Sequence, residues 1–184
     1  MLNHYYWLWN SILPKDFCEY IISSTNWDAY EDGTIFSKEN NGPVVDKELR
    51  RTNVVWVDQM SVMGCVCNQY IQAANQSANW NYIIDSSEKV QLGKYELNGH
   101  YDWHKDTHVP GLDNRQRKLS ISILLNDEFE GGELEFKDLT KEQQPTMKQG
   151  SIIVFPSFLE HRVNPITSGV RFSAVTWVSG PAFV

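Results

Sequence analysis

The run Leu119-Ser-Ile-Ser-Ile-Leu-Leu125 constrains the fold more than any other stretch of the chain. Leu119, Ile121, Ile123 and Leu125 alternate with Ser120, Ser122 and Leu124. Successive side chains of a strand point to opposite faces, so this period of two describes a strand with one strongly apolar face and one that tolerates small polar groups. Gly131-Gly132 then breaks the chain ahead of a strand at Glu133 to Phe136, and Ser151 to Phe155 and Val170 to Val178 read as two more. Short strands of this kind must bury their apolar faces against a second sheet or a helical layer.

The first half has a different period. Pro14 pre-sets a helical start, and Phe17, Tyr20 and Ile21 recur at helical spacing, which predicts a short helix over about 14–24. Asp28 to Leu49 is polar and rich in turn formers (Gly33, Asn40, Asn41, Gly42, Pro43), as in a long loop or an irregular hairpin. Loops of that length often act as functional lids. After an expected strand at Thr52 to Val57, Met63, Val66, Cys67, Tyr70, Ile71 and Ala74 repeat every three or four positions, which predicts the longest helix, packed on the sheet. The fold class that follows is α+β, mainly β: a sheet sandwich or distorted barrel backed by N-terminal helices. With no internal repeat or low-complexity linker, the 184 residues are expected to form one domain over 1–184. Helical support would occupy about 1–85 and the β core about 88–180.

Charge and cysteine usage narrow the function. The net charge is -7 and Lys and Arg are scattered, so the electropositive footprint that nucleic acid requires is missing. No apolar run approaches the roughly 20 residues that cross a bilayer, and Met1 to Ser11 lacks the pattern of a signal peptide, so a membrane is not expected as partner. Cys18, Cys65 and Cys67 are odd in number, with two of them too close to read as a disulfide framework, which fits a reducing cytoplasm. Oligomeric state is not written in these features.

Chemistry-bearing residues concentrate in the second half. His104 and Asp106 stand two apart, and in an extended chain such a pair shares a face and can share one ion. His100 and Asp102 repeat the same pattern on the same parity, so the register is open at this point. A third ligand must come from a distant strand, and His161 follows an apolar one. Two histidines and one carboxylate form the facial arrangement of non-haem Fe(II) oxygenases, with positions left for a bidentate 2-oxo acid and for O₂. Arg171 shares a strand face with Ser173, Val175 and Trp177. A buried cation on a strand needs a partner, and a guanidinium fork matches the distal carboxylate of 2-oxoglutarate, with the Ser173 hydroxyl as a further donor. Without the metal residues, Arg171 would read as a structural ion-pair residue. His4 and His108 lack partners at ligand spacing and read as structural or solvated; Trp7, Trp9, Trp56, Trp80 and Trp177 read as core aromatics. Tyr101 and Trp103 flank the ligand segment and are candidates for substrate contact.

The motifs run in a fixed order: Tyr95, Gly99 and Tyr101 ahead of His104-x-Asp106; Arg117-Lys-Leu-Ser before a strand ending Leu124-Leu-Asn126; Gly131-Gly-Glu-Leu134; Gly150 to Pro156; His161-Arg-Val; and Arg171-x-Ser173. In order and spacing, residues from about 90 to 178 resemble the catalytic core of the prolyl 4-hydroxylase-like Fe(II)/2-oxoglutarate-dependent dioxygenases. The resemblance implies a double-stranded β-helix (jelly-roll, cupin-like) core with the metal at its open end. It implies Fe(II), 2-oxoglutarate and O₂ as cofactor and co-substrates, and admits ascorbate. The implied reaction is hydroxylation of an unactivated C–H bond, with succinate and CO₂ as co-products. The implied substrate is a prolyl or other side chain of a peptide or protein, or a small molecule.

Position by position, the resemblance makes His104, Asp106 and His161 the iron ligands, Arg171 the C5-carboxylate anchor, Tyr95 a co-substrate hydrogen-bond donor and Ser173 an auxiliary one. It also favours the later H-x-D, because the family places an aromatic three residues before the metal histidine, as Tyr101 stands before His104. His100 and Asp102 then become rim groups. With Asp106 retained, hydroxylation is implied rather than halogenation. Asp28 to Leu49 and Thr107 to Gln116 are expected to rim the mouth and select substrate. Two rivals remain: a non-enzymatic β-barrel binding module, against which the missing fourth ligand argues, and a cupin-type metalloenzyme that does not use 2-oxoglutarate, against which Arg171 argues.

Overall fold

The two faces of the Leu119–Leu125 alternation meet different partners. Leu119, Ile121 and Ile123 share a core with Met63, Cys67, Ile71 and Ala74 of the Val62–Ser77 helix and with Cys18 and Ile21 of the Lys15–Ser24 helix. Ser120 and Ser122 face the other way, into the interior of the β structure. The computed structural model describes residues 4–37, 42–107 and 114–183. Among these, the larger sheet has eight strands. Its order is Trp7–Trp9, Ile152–Pro156, Arg115–Leu124, Arg171–Pro181, Val90–Tyr95, Asn53–Val57 and Glu31–Asp32, with Ser86–Ser87 also paired to Arg171–Pro181. Antiparallel register aligns Ser122 with Val175 and Ile153, and Val175 with Gln91, so one row of inward side chains crosses four strands.

A smaller sheet of four strands is ordered Leu134–Phe136, His161–Val163, His100–His104 and Arg50–Arg51. Its Leu134, Phe136 and Val163 form a second apolar cluster with Tyr95, Ile153 and Phe155 from the inward face of the larger sheet. Parity on one strand shows the division: Ile152 and Val154 belong to the helix-side core, Ile153 and Phe155 to the core between the sheets. Fully burying such an aliphatic side chain contributes about 1.5–3 kcal/mol, so both faces of this strand are fixed by packing. Two sheets closed on each other with helices outside the larger one make a mainly β double-stranded β-helix.

Local signals account for the helices and turns. Ser61 accepts a hydrogen bond from the Gly64 amide at 3.1 Å and starts the 16-residue helix, the longer of the two α-helices among the described residues. Gly132 adopts φ +67°, and a Cβ there would stand 2.4 Å from Ile166 Cδ1 and 2.9 Å from Arg171 Cδ. The break after Phe129–Gly131 therefore both turns the chain and makes room for Arg171. The N-terminal part is less purely helical than its periodicity suggests, because Trp7–Trp9, Asn53–Val57 and Arg50–Arg51 complete the two sheets. Asn53–Val57 is the strand expected at Thr52 to Val57, whereas Trp7–Trp9 and Arg50–Arg51 are too short for their alternation to stand out without knowledge of the partner strand. Within the expected first rim segment, Ile35–Ser37 pairs with Gly42–Val44 as a hairpin. Residues 38–41 and, in the second rim segment, 108–113, including His108, lie outside the described residues. No helix among the described residues is long and apolar enough to cross a membrane.

Candidate active site

His104 closes the His100–His104 strand and His161 opens the His161–Val163 strand, and the two residues are direct partners across the ladder. Asp106 follows two residues after His104, where its amide and that of Thr107 both donate to the Ser157 carbonyl at 3.0 Å. One donor atom from each of His104, Asp106 and His161 lies within 4.8 Å of the others. His104 Nε2 is 3.5 Å from Asp106 Oδ1, and His161 Nε2 is 3.5 Å from Asp106 Oδ2. Each imidazole is oriented by its other nitrogen: His104 Nδ1 meets the Asp102 carbonyl at 2.7 Å and His161 Nδ1 meets the Leu159 carbonyl at 2.9 Å. A proton on Nδ1 satisfies those carbonyls and leaves the Nε2 lone pair of each ring directed at the shared space.

Asp106 and His161 are both buried. Burial, then the neighbouring His104 charge, pushes His161 down to about 4, so it is a neutral donor at ordinary pH. Burial alone would raise the Asp106 carboxyl; His161, His104 and Arg117 outweigh it and hold Asp106 well below the usual carboxylate range. Two imidazoles and one carboxylate are the donor set that suits Fe(II), and among the described residues no fourth His, Cys, Asp or Glu joins them. Asp106 is further fixed by Ser120, whose Oγ donates to Oδ2 at 2.7 Å and lies 2.9 Å from Ser157 Oγ.

Arg171 and Tyr95 are partners across the Arg171–Pro181 and Val90–Tyr95 strands, with the guanidinium carbon 5.3 Å from the Tyr95 ring centre. Arg171 is 2% exposed, makes no ion pair among the described residues, and its Nε has no acceptor. Burial pulls its guanidinium below the usual range, opposed by Tyr95 and Glu133. Ser173 Oγ and Trp177 Nε1, on the same strand face, are also buried without a hydrogen-bond partner. An orphaned cation and an orphaned hydroxyl on one strand face fit an anionic ligand bearing a carboxylate.

Tyr101 stacks on His104 with ring centres 3.4 Å apart, and burial pushes its phenol up to about 12. Arg50 lies over the other residue of this stack, 4.6 Å from the Tyr101 ring centre. A cavity of ≈ 180 Å³ leads outward from Asp106 and Tyr101, with Ile35, Phe36, Pro43 and Trp56 on its outer wall and Trp177 deeper in. Trp103 is not part of that wall: it faces Arg162 at 4.6 Å and Lys137 at 5.9 Å, on the other side of the strand from His104. His100 is set apart as well, with its ring nitrogens on the carbonyls of Asn98 (2.8 Å) and Glu48 (2.9 Å), while Asp102 accepts from the Trp103 amide at 2.7 Å.

Residues 90–179 match the 2OG-Fe(II) oxygenase superfamily, a span that takes in every residue of the donor cluster and Arg171. The match takes in just under half of the chain. A PKHD-type hydroxylase of Synechococcus sp. (strain CC9902) is 35% identical over 98 residues, covering 52% of this chain and 43% of the relative. The chain spans between about a third and one half of the length of the curated relatives it matches. Among solved structures, the collagen prolyl hydroxylase of Paramecium Bursaria Chlorella virus-1, in its 2OG complex, superposes with TM-score 0.68 at 18% identity, covering 97% of each chain. A Trichoplax adhaerens prolyl hydroxylase bound to a hypoxia inducible factor oxygen degradation domain peptide fragment gives TM-score 0.69 at 17% identity, covering 96% of this chain and 84% of that one. These likenesses establish the double-stranded β-helix fold.

Five residues of this site escape a reading of the sequence. Ser120 and Ser157 are small and ordinary, and only the pairing of Arg115–Leu124 with Ile152–Pro156, with the backbone bond from Asp106 to Ser157, brings them to Asp106. Arg117 ties the centre to the wall: it forms a two-point pair with Glu88 at 2.6 Å, sits 4.0 Å over Trp177, and donates to the Asp106 carbonyl at 3.3 Å. Trp177 reads as a core aromatic, yet its position on the Arg171–Ser173 parity was the available signal that it lines the chamber. Arg50 carried no signal at all, since nothing near it in sequence marks it as buried.

Proposed function

We propose that this protein is an Fe(II)- and 2-oxoglutarate-dependent hydroxylase acting on a side chain, a prolyl one by preference, of a peptide or protein. The observation that carries the reading is the pairing of an open three-donor cluster with a buried, carboxylate-free Arg171 in one fold. His104, Asp106 and His161 would hold the iron and leave coordination positions for co-substrate and O₂. Bound there, Fe(II) and 2-oxoglutarate supply oxidative chemistry able to hydroxylate an unactivated C–H bond, with succinate and CO₂ released.

The chain's own residues do the positioning. Arg171 and Ser173 receive the distal carboxylate of the co-substrate, with Tyr95 beside them, and so fix which end of the 2-oxo acid reaches the donors. Leu134, Phe155, Val163 and Val175 wall the chamber and exclude water, which strengthens each of these electrostatic contacts. Tyr101, Trp177 and the outer wall of Phe36, Pro43 and Trp56 offer apolar and aromatic surface for a substrate side chain such as proline. The Trichoplax neighbour binds a peptide, which supports the peptide reading. The cysteines Cys18, Cys65 and Cys67 are all free, in keeping with a reducing cytoplasm. A cupin-type enzyme without 2-oxoglutarate would have no use for Arg171, and a binding module none for a three-donor open site.

Anaerobic titration of the Fe(II)-loaded protein with 2-oxoglutarate tests this. A weak visible charge-transfer band is expected in the wild type, absent in His104→Ala and weakened in Arg171→Ala. A folded, iron-loaded wild type that shows no band would overturn the reading.

A further inference from the structure

A second cavity, ≈ 350 Å³ in volume, lies at the base of the hairpin that carries Ile35–Ser37 and Gly42–Val44. Lys47, Arg50 and Arg51 line it together with Asp32 and Thr52. Three cations against one carboxylate leave the cavity positive, in a chain whose net charge is -7. Asp32 is engaged by Lys47 at 3.1 Å. Arg51 is exposed and its side chain has no acidic partner among the described residues. Arg50 is 6% exposed; its terminal nitrogens donate to the Thr34 carbonyl at 2.9 Å and to Gln91 Oε1, neither of which carries charge.

Arg50 Nε has no acceptor. A Cβ on Gly33 would stand 2.7 Å from that nitrogen and 2.5 Å from Thr52 Cγ2, so the missing side chain leaves it room. A buried guanidinium with neutral partners is costly and is matched best by an oxyanion. Arg50 also lines the chamber that contains His104 and Asp106, so this cavity and the candidate active site share one wall. The volume exceeds what a lone carboxylate fills and has space for the side chain that carries it.

We propose that the cavity at the hairpin base, lined by Lys47, Arg50 and Arg51, is a subsite for an acidic side chain of a peptide substrate, a few residues from the side chain presented at the donor cluster. The proposal rests on the hydroxylase reading only for what happens next to the subsite; the binding itself depends on charge. Lys47 and Arg51 attract the carboxylate, and Arg50 receives it at the buried end. A neutral amide in its place can accept from the Arg50 nitrogen but leaves the buried cation without a counter-charge, which makes the subsite selective rather than merely sticky.

The test uses two proline-centred peptide pools, identical except that one carries Asp and Glu where the other carries Asn and Gln. Binding is read by fluorescence anisotropy with chelator present, then with Fe(II) and 2-oxoglutarate. The wild type is expected to bind the acidic pool about tenfold more tightly, as charge-assisted hydrogen bonds of this kind allow. Lys47→Ala with Arg51→Ala removes that preference, and Arg51→Glu reverses it toward the neutral pool. Equal binding of the two pools by the wild type, or a preference that survives in the double variant, overturns the proposal. So does stabilisation by inorganic phosphate, at matched ionic strength, without any preference between the pools, because the cavity would then serve a free anion. A clear acidic preference with no product heavier by one oxygen leaves the subsite standing and fails the hydroxylase reading instead.

Discussion

Ser120 Oγ donates a 2.7 Å hydrogen bond to Asp106 Oδ2, the oxygen that also faces His161 Nε2 at 3.5 Å. The bond holds the carboxylate plane where its two oxygens can face one imidazole each, and Ser157 supports Ser120 from behind at 2.9 Å. Groups that orient a metal-binding side chain in this way are worth about 10–100-fold in metal affinity. Ser120→Ala should therefore weaken Fe(II) binding by about tenfold or more, while Ser120→Thr, which keeps the hydroxyl, retains most of it. Competition against a chromophoric chelator measures this; an unchanged affinity in folded Ser120→Ala would show that the bond is idle.

Arg171 is buried without an ion-pair partner among the described residues, so its cost to the ligand-free fold and its value to the ligand-bound one should separate. Arg171→Met is expected to leave the melting temperature of the metal-free protein unchanged or raised. The same change should abolish the stabilisation that 2-oxoglutarate gives the metal-loaded wild type, about 2.7 kcal/mol at a hundredfold excess over Kd. Differential scanning fluorimetry reads both. A large loss of stability in the ligand-free Arg171→Met would make Arg171 a structural residue.

The sequence displays the Leu119–Leu125 alternation, the order of motifs around His104, Asp106, His161 and Arg171, and the face of the Val62–Ser77 helix, because each is a pattern within one element. What it conceals are relationships between elements. Ser120 meets Asp106 because two strands and a loop end at the same depth, and Arg50 is buried because an edge strand of two residues pairs with His100–His104. Trp103 shows the opposite failure. Its closeness in sequence to His104 suggests substrate contact, while strand parity turns it toward Arg162.

The choice between the two H-x-D pairs has a direct readout. His100 spends both ring nitrogens on backbone carbonyls, one of them Glu48 beside the Arg50–Arg51 strand. His100→Ala should keep Fe(II) stoichiometry and affinity within about threefold, and Asp106→Ala should lose binding, since an affinity change of tenfold corresponds to about 1.4 kcal/mol and His100 makes no contact with the cluster. Atomic-absorption stoichiometry after desalting decides it, and iron lost from a folded His100→Ala would reassign the pair.

Acid should unfold the metal-free protein early, and His161 gives the reason. Its imidazole is held at about 4 by burial and by His104, against an ordinary value of 6.5. As pH falls through that window the unfolded chain takes up a proton that the native state refuses, so the stability present above about 6.5 is progressively lost until about 4. The loss is on the order of 3 kcal/mol at about 1.4 kcal/mol per unit of pKa. Asp106, held below the usual carboxylate range, extends the same trend to lower pH, because its contribution exists only while it stays ionised. Urea unfolding at about pH 7 and about pH 4.5, in wild type and in His161→Gln, isolates the histidine. The wild type should lose the larger share of its stability between the two conditions, and equal losses would mean that His161 accepts its proton in the native state as readily as in the unfolded one.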